Sequence, residues 1–219
     1  MQTLLNTPHE IIQQNILGAA AKAKTRILNI LVLGIMAGSF IAMGAQSSSL
    51  AVHNISNIGL ARTLAGCIFP VGLMMIVFVG GELFTGDCMM SMAWMQRKIH
   101  FADMLRTLVL VYVSNFVGAA LIAFLVAHSG QYDYSSGALG AYTIKVAYGK
   151  VHLSFANALV SGILCNILVC VAVLMAAAAK DIAGKVLAIF FPILAFVVSG
   201  FEHCVANMYY IPAGIFASK

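Results

Sequence analysis

The sequence predicts an all-α integral membrane protein, and its composition, its long apolar runs and two interrupted runs all point to that class. Of 219 residues, 62% are hydrophobic and only 9% are charged, and the mean hydropathy is +0.97. A soluble domain carries about 45–50% apolar and about 25% charged residues. A soluble chain this apolar would be unable to cover its surface with polar groups, so composition alone indicates a membrane protein.

Charge and cysteine usage argue against several other classes. The net charge of +5 arises without a Lys/Arg-rich tract, which argues against nucleic acid as a partner. The five cysteines lie in apolar stretches without a CxxC pair. They predict small buried residues rather than a disulfide framework or a zinc site, and we expect no metal and no cofactor. The first apolar run starts near Ile27 and continues past Met43, which is too long for a signal peptide.

Residues 1–26 predict an amphipathic helix that precedes a transmembrane domain over residues 27–219. Thr7 is a candidate N-cap, Pro8 suits the first helical position, and Glu10 completes a Thr-x-x-Glu capping box. Apolar residues at helical spacing form one stripe on this helix. The stripe consists of Ile12, Ile16, Ala19, Ala20 and Ala23.

Three uninterrupted spans and two loops account for much of the remaining chain. A span needs about 20 apolar residues to cross a hydrocarbon core of about 30 Å. Runs of that kind predict spans over residues 27–46, 101–127 and 154–179. Residues 47–60 and 128–153 are more polar, and we expect both segments to be loops.

Two further apolar segments are interrupted by polar residues. Residues 61–96 would form a helix about 54 Å long, but Gly80–Asp87 places glycines and carboxylates in its middle. Residues 186–215 break at Ser199–His203. Irregular backbone at membrane depth is tolerated only where it is buried in protein or lines a water-filled cavity. Two broken spans in corresponding positions therefore predict a transport site.

Basic residues between the spans predict the orientation. One side of the membrane collects Lys22, Lys24, Arg26, Arg97, Lys98, Lys180 and Lys185. The other side has fewer, namely Arg62, Lys145 and Lys150. Cytoplasmic loops carry the excess of Lys and Arg. We therefore expect a multi-pass protein of the plasma or inner membrane with its N-terminus in the cytoplasm.

Three motifs give the sequence a specific resemblance. They are Gly81–Gly86, then Gly162–Asn166 followed by Val169–Cys170, and finally Gly200–His203 followed by Val205–Met208. With these motifs in this order, the chain resembles the formate/nitrite transporter family over nearly its whole length. The resemblance implies a homopentamer of aquaporin-like inverted-repeat protomers, each with its own pore. It also implies a sixth span beyond the last residue given.

The resemblance also implies roles for individual residues. His203 matches the family's pore histidine, Thr85 the threonine of the mobile loop in the broken second span, and Lys150 the vestibule lysine. Asn166 and Asn207 match its pore-region asparagines. The family's hydrophobic constrictions correspond to Phe69, Leu73, Phe84, Val169 and Phe196.

Simpler interpretations of these residues stay open. A histidine in an apolar segment often packs as a core residue, although ionisable groups within a membrane are costly and usually functional. Lys150 suits a snorkelling anchor, and Thr85 suits a helix cap. Glu202 either orients His203 or pairs with backbone amides near the break. Helix capping is an equal alternative for Glu82 and Asp87, the carboxylates of the first break.

The expected mechanism has three stages. Lys150 raises the local anion concentration. His203, Thr85 and the N-termini of the two half-helices then bind the anion at the midplane. A proton shared through His203 finally lets the substrate pass the constrictions as the neutral acid, because histidine titrates near working pH. A bare anion would face a desolvation penalty of several kcal/mol.

Several alternatives share these residues. Formate is the first choice of substrate, with nitrite and hydrosulfide as alternatives, and a proton-coupled secondary transporter would use the same side chains. An enzyme is not indicated, since the chain has no HExxH motif, Asp pair or Ser/His constellation. A neutral-solute pore of the aquaporin kind would carry an Asn-Pro-Ala repeat, and none occurs. A contact between the N-terminal helix, which carries His9, and the Glu82–Asp87 loop is a candidate pH gate.

Overall fold

The computed structural model describes residues 5–219, and regular structure over that range is helical apart from one isolated antiparallel bridge between Leu5 and Ala179. The helices are α1 (Pro8–Lys22), α2 (Ile27–Val52), α3 (Ile58–Ile68), α4 (Val71–Val79), α5 (Phe84–Asp87), α6 (Met90–Met95), α7 (Phe101–Ala127), α8 (Ala138–Val151), α9 (Phe155–Ala178), α10 (Ile182–Ser199) and α11 (Cys204–Ala217). A short 3₁₀ turn covers Gln131–Asp133.

Five helical segments of the described chain are long and apolar enough to cross a membrane. They are α2, α7, α9, α10 and the combined α3–α4 segment, with mean hydropathies from 2.0 to 2.6. The all-α membrane prediction is confirmed. The span predicted over residues 101–127 matches α7, whereas the first span continues beyond residue 46 to Val52, and the loop expected over residues 47–60 shrinks accordingly.

Both predicted breaks are present. The first begins at Gly80, whose φ of 104° lies in a region that favours glycine, and it lasts until α5 starts at Phe84. The second begins at Gly200, with φ of 71°, and ends where α11 starts at Cys204. Broken span and flanking span therefore recur in the two halves, as the inverted repeat requires.

The broken spans are held between closely packed helices. α2 packs along α7, and glycine allows the approach, since a Cβ at Gly38 would lie 2.1 Å from the Asn115 carbonyl oxygen. α11 packs against α7 and α8, while α10 packs against α9 and α3. The largest buried apolar cluster lies where these helices meet the breaks.

The loop expected over residues 128–153 is wrong, because most of its second half forms α8. The helix starts after Gly137, and Leu139, Thr143 and Ala147 follow at intervals of four residues, so that one face is buried. This face lies on α11, where Gly214 leaves room for Ala147: a Cβ at Gly214 would come within 2.2 Å of that methyl carbon. The polar residues that precede the helix, together with Lys145 and Lys150 within it, gave the segment its loop-like composition.

The N-terminal helix forms as expected. Thr7 and Glu10 make the reciprocal capping box, with Thr7 N donating to Glu10 Oε2 at 2.6 Å. The stripe is buried in part, since Ile16 and Ala19 pack in a second cluster formed with residues of α6 and α7. Ile12, by contrast, is 42% exposed.

Candidate functional site

The two breaks meet at Thr85 and His203. Thr85 lies in α5, His203 is the N-cap of α11, and each residue is 4% exposed. The Thr85 Oγ1 and His203 Nε2 atoms are 3.2 Å apart, although 118 positions separate the two residues in sequence. The polar groups that the sequence singled out in the two halves are therefore direct neighbours.

The partners of His203 determine its tautomer. The backbone N–H of Ala206 donates to Nδ1 at 3.1 Å, which caps α11. An N–H group only donates, so in the neutral ring Nδ1 is the acceptor and Nε2 carries the proton. Nε2–H then donates to Thr85 Oγ1, and the Thr85 hydroxyl hydrogen is left to point toward another acceptor.

Aromatic rings surround this pair on one side. Phe69 and Phe196 meet edge to face with their ring centroids 5.5 Å apart. The His203 ring stacks on Phe196 at 5.8 Å and lies 6.5 Å from Phe69. Leu73 and Val169 belong to the same buried cluster. Two of the five residues predicted as constrictions, Phe69 and Phe196, therefore lie next to the histidine, and two more belong to the buried cluster that contains these rings.

A cavity of about 220 Å³, hereafter the Lys150 cavity, leads to this aromatic cluster. Lys150, Phe69, Phe196 and His203 all line it. The predicted vestibule lysine and the predicted pore histidine consequently line the same cavity, together with the two phenylalanine rings.

Lys150 forms an ion pair with Glu202, which does not itself line this cavity. Its Nζ donates to both carboxylate oxygens of Glu202, at 2.7 and 2.8 Å, and Asn207 Nδ2 donates to Glu202 Oε2 at 2.8 Å. The carboxylate does not contact His203, and its backbone N–H, not its side chain, bonds Ser161 Oγ. Neither role expected for Glu202 describes its carboxylate, which is the counter-ion of the lysine.

A second and larger cavity of about 880 Å³, hereafter the Asn166 cavity, lies on the other side of the pair. Asn166, Phe84 and Thr85 line it, and His203 and Asn207 line both cavities. Phe84 packs edge to face on Tyr112 of α7 with 5.0 Å between centroids, at the margin of the buried cluster rather than in its centre. The remaining predicted residues are thus also placed around Thr85 and His203.

Two amide oxygens in this region lack donors. The Oδ1 atoms of Asn166 and Asn207 are buried, and neither accepts a hydrogen bond from any residue within 5–219. Buried acceptors of this kind are normally satisfied by protein or water. Both oxygens are therefore available to a donor that enters the cavities, such as water or the O–H of a small acid.

Asn115 is a structural residue that the sequence reasoning missed. It is fully buried in α7, and its Nδ2 donates to the carbonyl oxygens of Gly34 and Glu82, each at 2.8 Å. Its Oδ1 accepts from Phe84 N at 3.0 Å. Asn115 thereby ties the first break to α2. A lone asparagine within an apolar span was the available signal, since polar groups in a membrane need partners.

The N-terminal helix reaches the first break through a lysine. Lys22, in the last turn of α1, forms ion pairs with Glu82 and Asp87. Neither carboxylate caps a helix. The expected contact between the N-terminal helix and this loop is present, but His9 is exposed in the first turn and takes no part in it. The link is electrostatic and belongs to Lys22.

Comparisons with known proteins agree with this arrangement. A family model described as formate/nitrite transporter matches residues 9–219. The chain is 39% identical over 215 residues to the uncharacterized transporter YrhG of Bacillus subtilis, covering 97% of this chain and 80% of the relative. It is 38% identical over 213 residues to the formate channel BtFdhC of Bacillus thuringiensis, covering 96% and 82% respectively.

Two solved structures share the fold. A structure titled as a pentameric formate channel with formate bound superposes with a TM-score of 0.78 at 32% identity, covering 86% of this chain and 75% of that one. A structure titled as an FNT family ion channel gives a TM-score of 0.85 at 28% identity, covering 95% and 84%.

Proposed function

Because the chain belongs to the formate/nitrite transporter family, we propose that it is a channel through which the small anions of weak acids, formate foremost, cross the cell membrane. The observation that carries this proposal is the Thr85–His203 pair, a neutral hydrogen-bonding site held between apolar rings where two broken spans meet. In line with the pentameric relative, we propose a homopentamer in which every protomer has its own pathway.

The aromatic cluster accounts for passage as a neutral acid. Phe69 and Phe196 offer no group that replaces the hydration of an ion. Moving a carboxylate-sized ion into such surroundings costs several kcal/mol even after relaxation, whereas formic acid carries no charge and needs only a few hydrogen bonds. Protonation before or at the rings therefore lowers the barrier, and the barrier itself keeps the bare anion from leaking.

His203 assists by donation. Its Nε2–H donates to Thr85 Oγ1 and thereby directs the Thr85 hydroxyl hydrogen toward the space where an anion would lie, and the N-terminus of α11 adds a favourable field. Complete transfer of the Nε2 proton would leave an imidazolate, because Nδ1 accepts the hydrogen bond of the Ala206 N–H and cannot take up a proton at the same time. His203 accordingly acts on the anion through the Thr85 hydroxyl, and the proton that travels comes from a hydronium ion of the solution, which leaves neutral water behind.

The unpaired amide oxygens serve the neutral form. A protonated acid carries an O–H donor that its anion lacks, and Asn166 Oδ1 and Asn207 Oδ1 are buried acceptors without donors among residues 5–219. They stabilise the acid relative to the anion on both sides of His203. The site thus offers a hydrogen-bond donor to the anion at its centre and acceptors to the neutral acid on either side. Together these groups favour protonation of the anion during its passage.

The orientation and the division of the chain belong to the same proposal. We place residues 1–26 at the cytoplasmic face and assign the pathway to residues 27–219, since the side of α1 carries more basic residues. Lys22 then neutralises carboxylates at the cytoplasmic mouth, and Lys150 lies toward the opposite face.

Flux from liposomes tests the proposal. Purified protein in liposomes is given formate, nitrite, hydrosulfide or a larger monocarboxylate, and internal pH and membrane current are recorded together. We expect fast formate flux with little current and weak saturation. Saturable flux strictly coupled to protons would instead make the protein a secondary transporter, and absence of flux for all four anions would refute the proposed function. Native mass spectrometry in detergent determines the oligomeric state, and a protein found only as a monomer or a tetramer would contradict the proposed pentamer.

A further inference from the structure

Arg62 is a charged residue of the Lys150 cavity with no role in the pathway described so far. It lies in the second turn of α3 and lines the cavity together with Lys150 and His203. Its guanidinium is next to Gly200, because a Cβ at that glycine would come within 3.3 Å of Cζ, Nη1 and Nη2. Gly200 starts the break that ends at His203, so the guanidinium lies beside the start of that break, in the cavity that the histidine also lines.

The charge balance of the cavity depends on Arg62. Lys150 is bonded to both oxygens of Glu202, so the two charges cancel and their combined field falls off faster than that of a single ion. Arg62 is exposed and forms no ion pair or side-chain hydrogen bond with any residue of the described range 5–219. The net positive charge that an approaching anion meets in this cavity therefore comes from the guanidinium.

We infer that Arg62 is the capture site of the pathway, and that it prefers planar anions with two oxygens over spherical ones. A guanidinium presents its N–H donors as a rigid planar fork that matches a carboxylate with two parallel hydrogen bonds. Formate and nitrite have this geometry, and hydrosulfide does not. Arg62 thus attracts any small anion by charge but retains two-oxygen anions by shape. This inference rests on the proposed function, because it assigns the first step of the same pathway.

Two substitutions separate the effect of the positive charge from that of the planar guanidinium. Arg62→Gln removes both the charge and the paired N–H donors, whereas Arg62→Lys keeps the charge and loses the planar pair of donors. Lys145→Gln is the matched control, because Lys145 is a cation on α8 that does not line the cavity. Initial uptake of formate and of hydrosulfide is measured in liposomes over a range of concentrations, at ionic strengths of about 0.01 M and about 1 M, where the Debye lengths are about 30 Å and about 3 Å.

The expected pattern is specific. At low ionic strength Arg62→Gln lowers the initial uptake of hydrosulfide about fivefold, the effect of one unit charge at short range in water, and lowers that of formate further, because the bidentate contact is lost as well. Arg62→Lys restores hydrosulfide uptake to the wild-type level but leaves formate uptake about tenfold impaired, as expected for one lost charge-assisted hydrogen bond. At high ionic strength the Arg62→Gln effect on hydrosulfide disappears, and Lys145→Gln behaves like wild type throughout.

Other results overturn the inference without touching the proposed function. If wild-type protein conducts and Arg62→Gln matches it at low ionic strength, Arg62 is not the capture site. If Arg62→Lys restores formate and hydrosulfide equally, the preference for two oxygens is wrong. If wild-type protein passes neither anion, it is the proposed function that fails.

A chemical variant covers the case in which Arg62→Gln does not assemble. Arg62→Cys is folded and then modified with a positively or a negatively charged methanethiosulfonate reagent, with wild-type protein treated in parallel to account for Cys67, which is exposed. Restoration of low-salt uptake by the positive reagent alone supports capture by charge. Equal uptake after both reagents contradicts it.

Discussion

Asn115→Ala is expected to detach the first break from the helices that hold it. The side chain is fully buried and makes three hydrogen bonds, to the carbonyl oxygens of Gly34 and Glu82 and from Phe84 N. Alanine removes all three. The Glu82 carbonyl and the Phe84 N–H belong to the non-helical break and its first helical turn, so no helical hydrogen bond is in place to replace them.

The size of the effect follows from these contacts. Side-chain hydrogen bonds within membranes contribute about 0.6 kcal/mol each on average, which gives about 2 kcal/mol for the three. A buried donor or acceptor that is left unpaired costs about 1–3 kcal/mol, and this raises the expected loss. We therefore expect Asn115→Ala to lower the free energy of unfolding by about 2–4 kcal/mol.

Ser114→Ala is the matched control, because Ser114 is also buried but its hydroxyl bonds only to Leu110 and Val111 of its own helix. Unfolding in detergent is followed by loss of helical signal, and formate flux is measured on the same preparations. The control is expected to lose less than about 1 kcal/mol and to keep its flux. Equal losses for the two variants, or full flux from Asn115→Ala, would refute the role given to Asn115.

Three further predictions concern the charged and titratable groups. His203→Asn keeps a side chain that can cap α11 but removes the titratable ring. Formate-driven acidification of liposomes is expected to fall about tenfold to a hundredfold, since a hydrogen bond to a charged group contributes about 1.5–3 kcal/mol. Lys150→Met leaves the Glu202 carboxylate as an uncompensated negative charge near the pathway, and formate uptake is expected to fall about fivefold or more. Adding Glu202→Gln is expected to restore most of that uptake. Lys22→Met leaves the carboxylates of the first break unpaired, and amide hydrogen exchange in α1 is expected to become about tenfold faster, with Lys98→Met as the exposed control.

Each of these three has a result that contradicts it. Wild-type acidification by His203→Asn without new current would make His203 a structural histidine. Failure of the second substitution to restore uptake in the Lys150→Met protein would mean that the lysine acts by something other than neutralising Glu202. Unchanged exchange in Lys22→Met would show that apolar contacts alone hold α1.

The sequence predicted the elements whose signals are local. Both breaks were evident because glycines and polar residues interrupt runs that are otherwise long enough to span. α8 was missed because Lys145 and Lys150 interrupt its apolar residues and a polar stretch precedes it, and Leu139 and Ala147 become a buried face only when α11 lies against them. Local pattern carries no information about such a partner.

The site was predictable to a different extent. The contact between Thr85 and His203 joins residues from separate halves, and only the resemblance to a known family brought them together in advance. The pairing of Glu202 with Lys150 and the bonds of Asn115 to backbone carbonyls depend on distances between helices. Residue type indicated that each of these polar groups would need a partner, but the identity of the partner is a property of the fold.

The carboxylates at both breaks are neutralised in the same way, by a lysine from outside the broken span. Lys22 of α1 pairs with Glu82 and Asp87 at the first break, and Lys150 of α8 pairs with Glu202 at the second. Because these charges are compensated where they stand, the centre between them is left with uncharged donors and acceptors. A fixed cation at that position would bind an anion tightly and slow its release. Neutral donors bind the anion more weakly, so that it can leave as the neutral acid. Rapid flux through an apolar constriction is therefore served better by neutral groups at the midplane and by an unpaired charge only at the mouth.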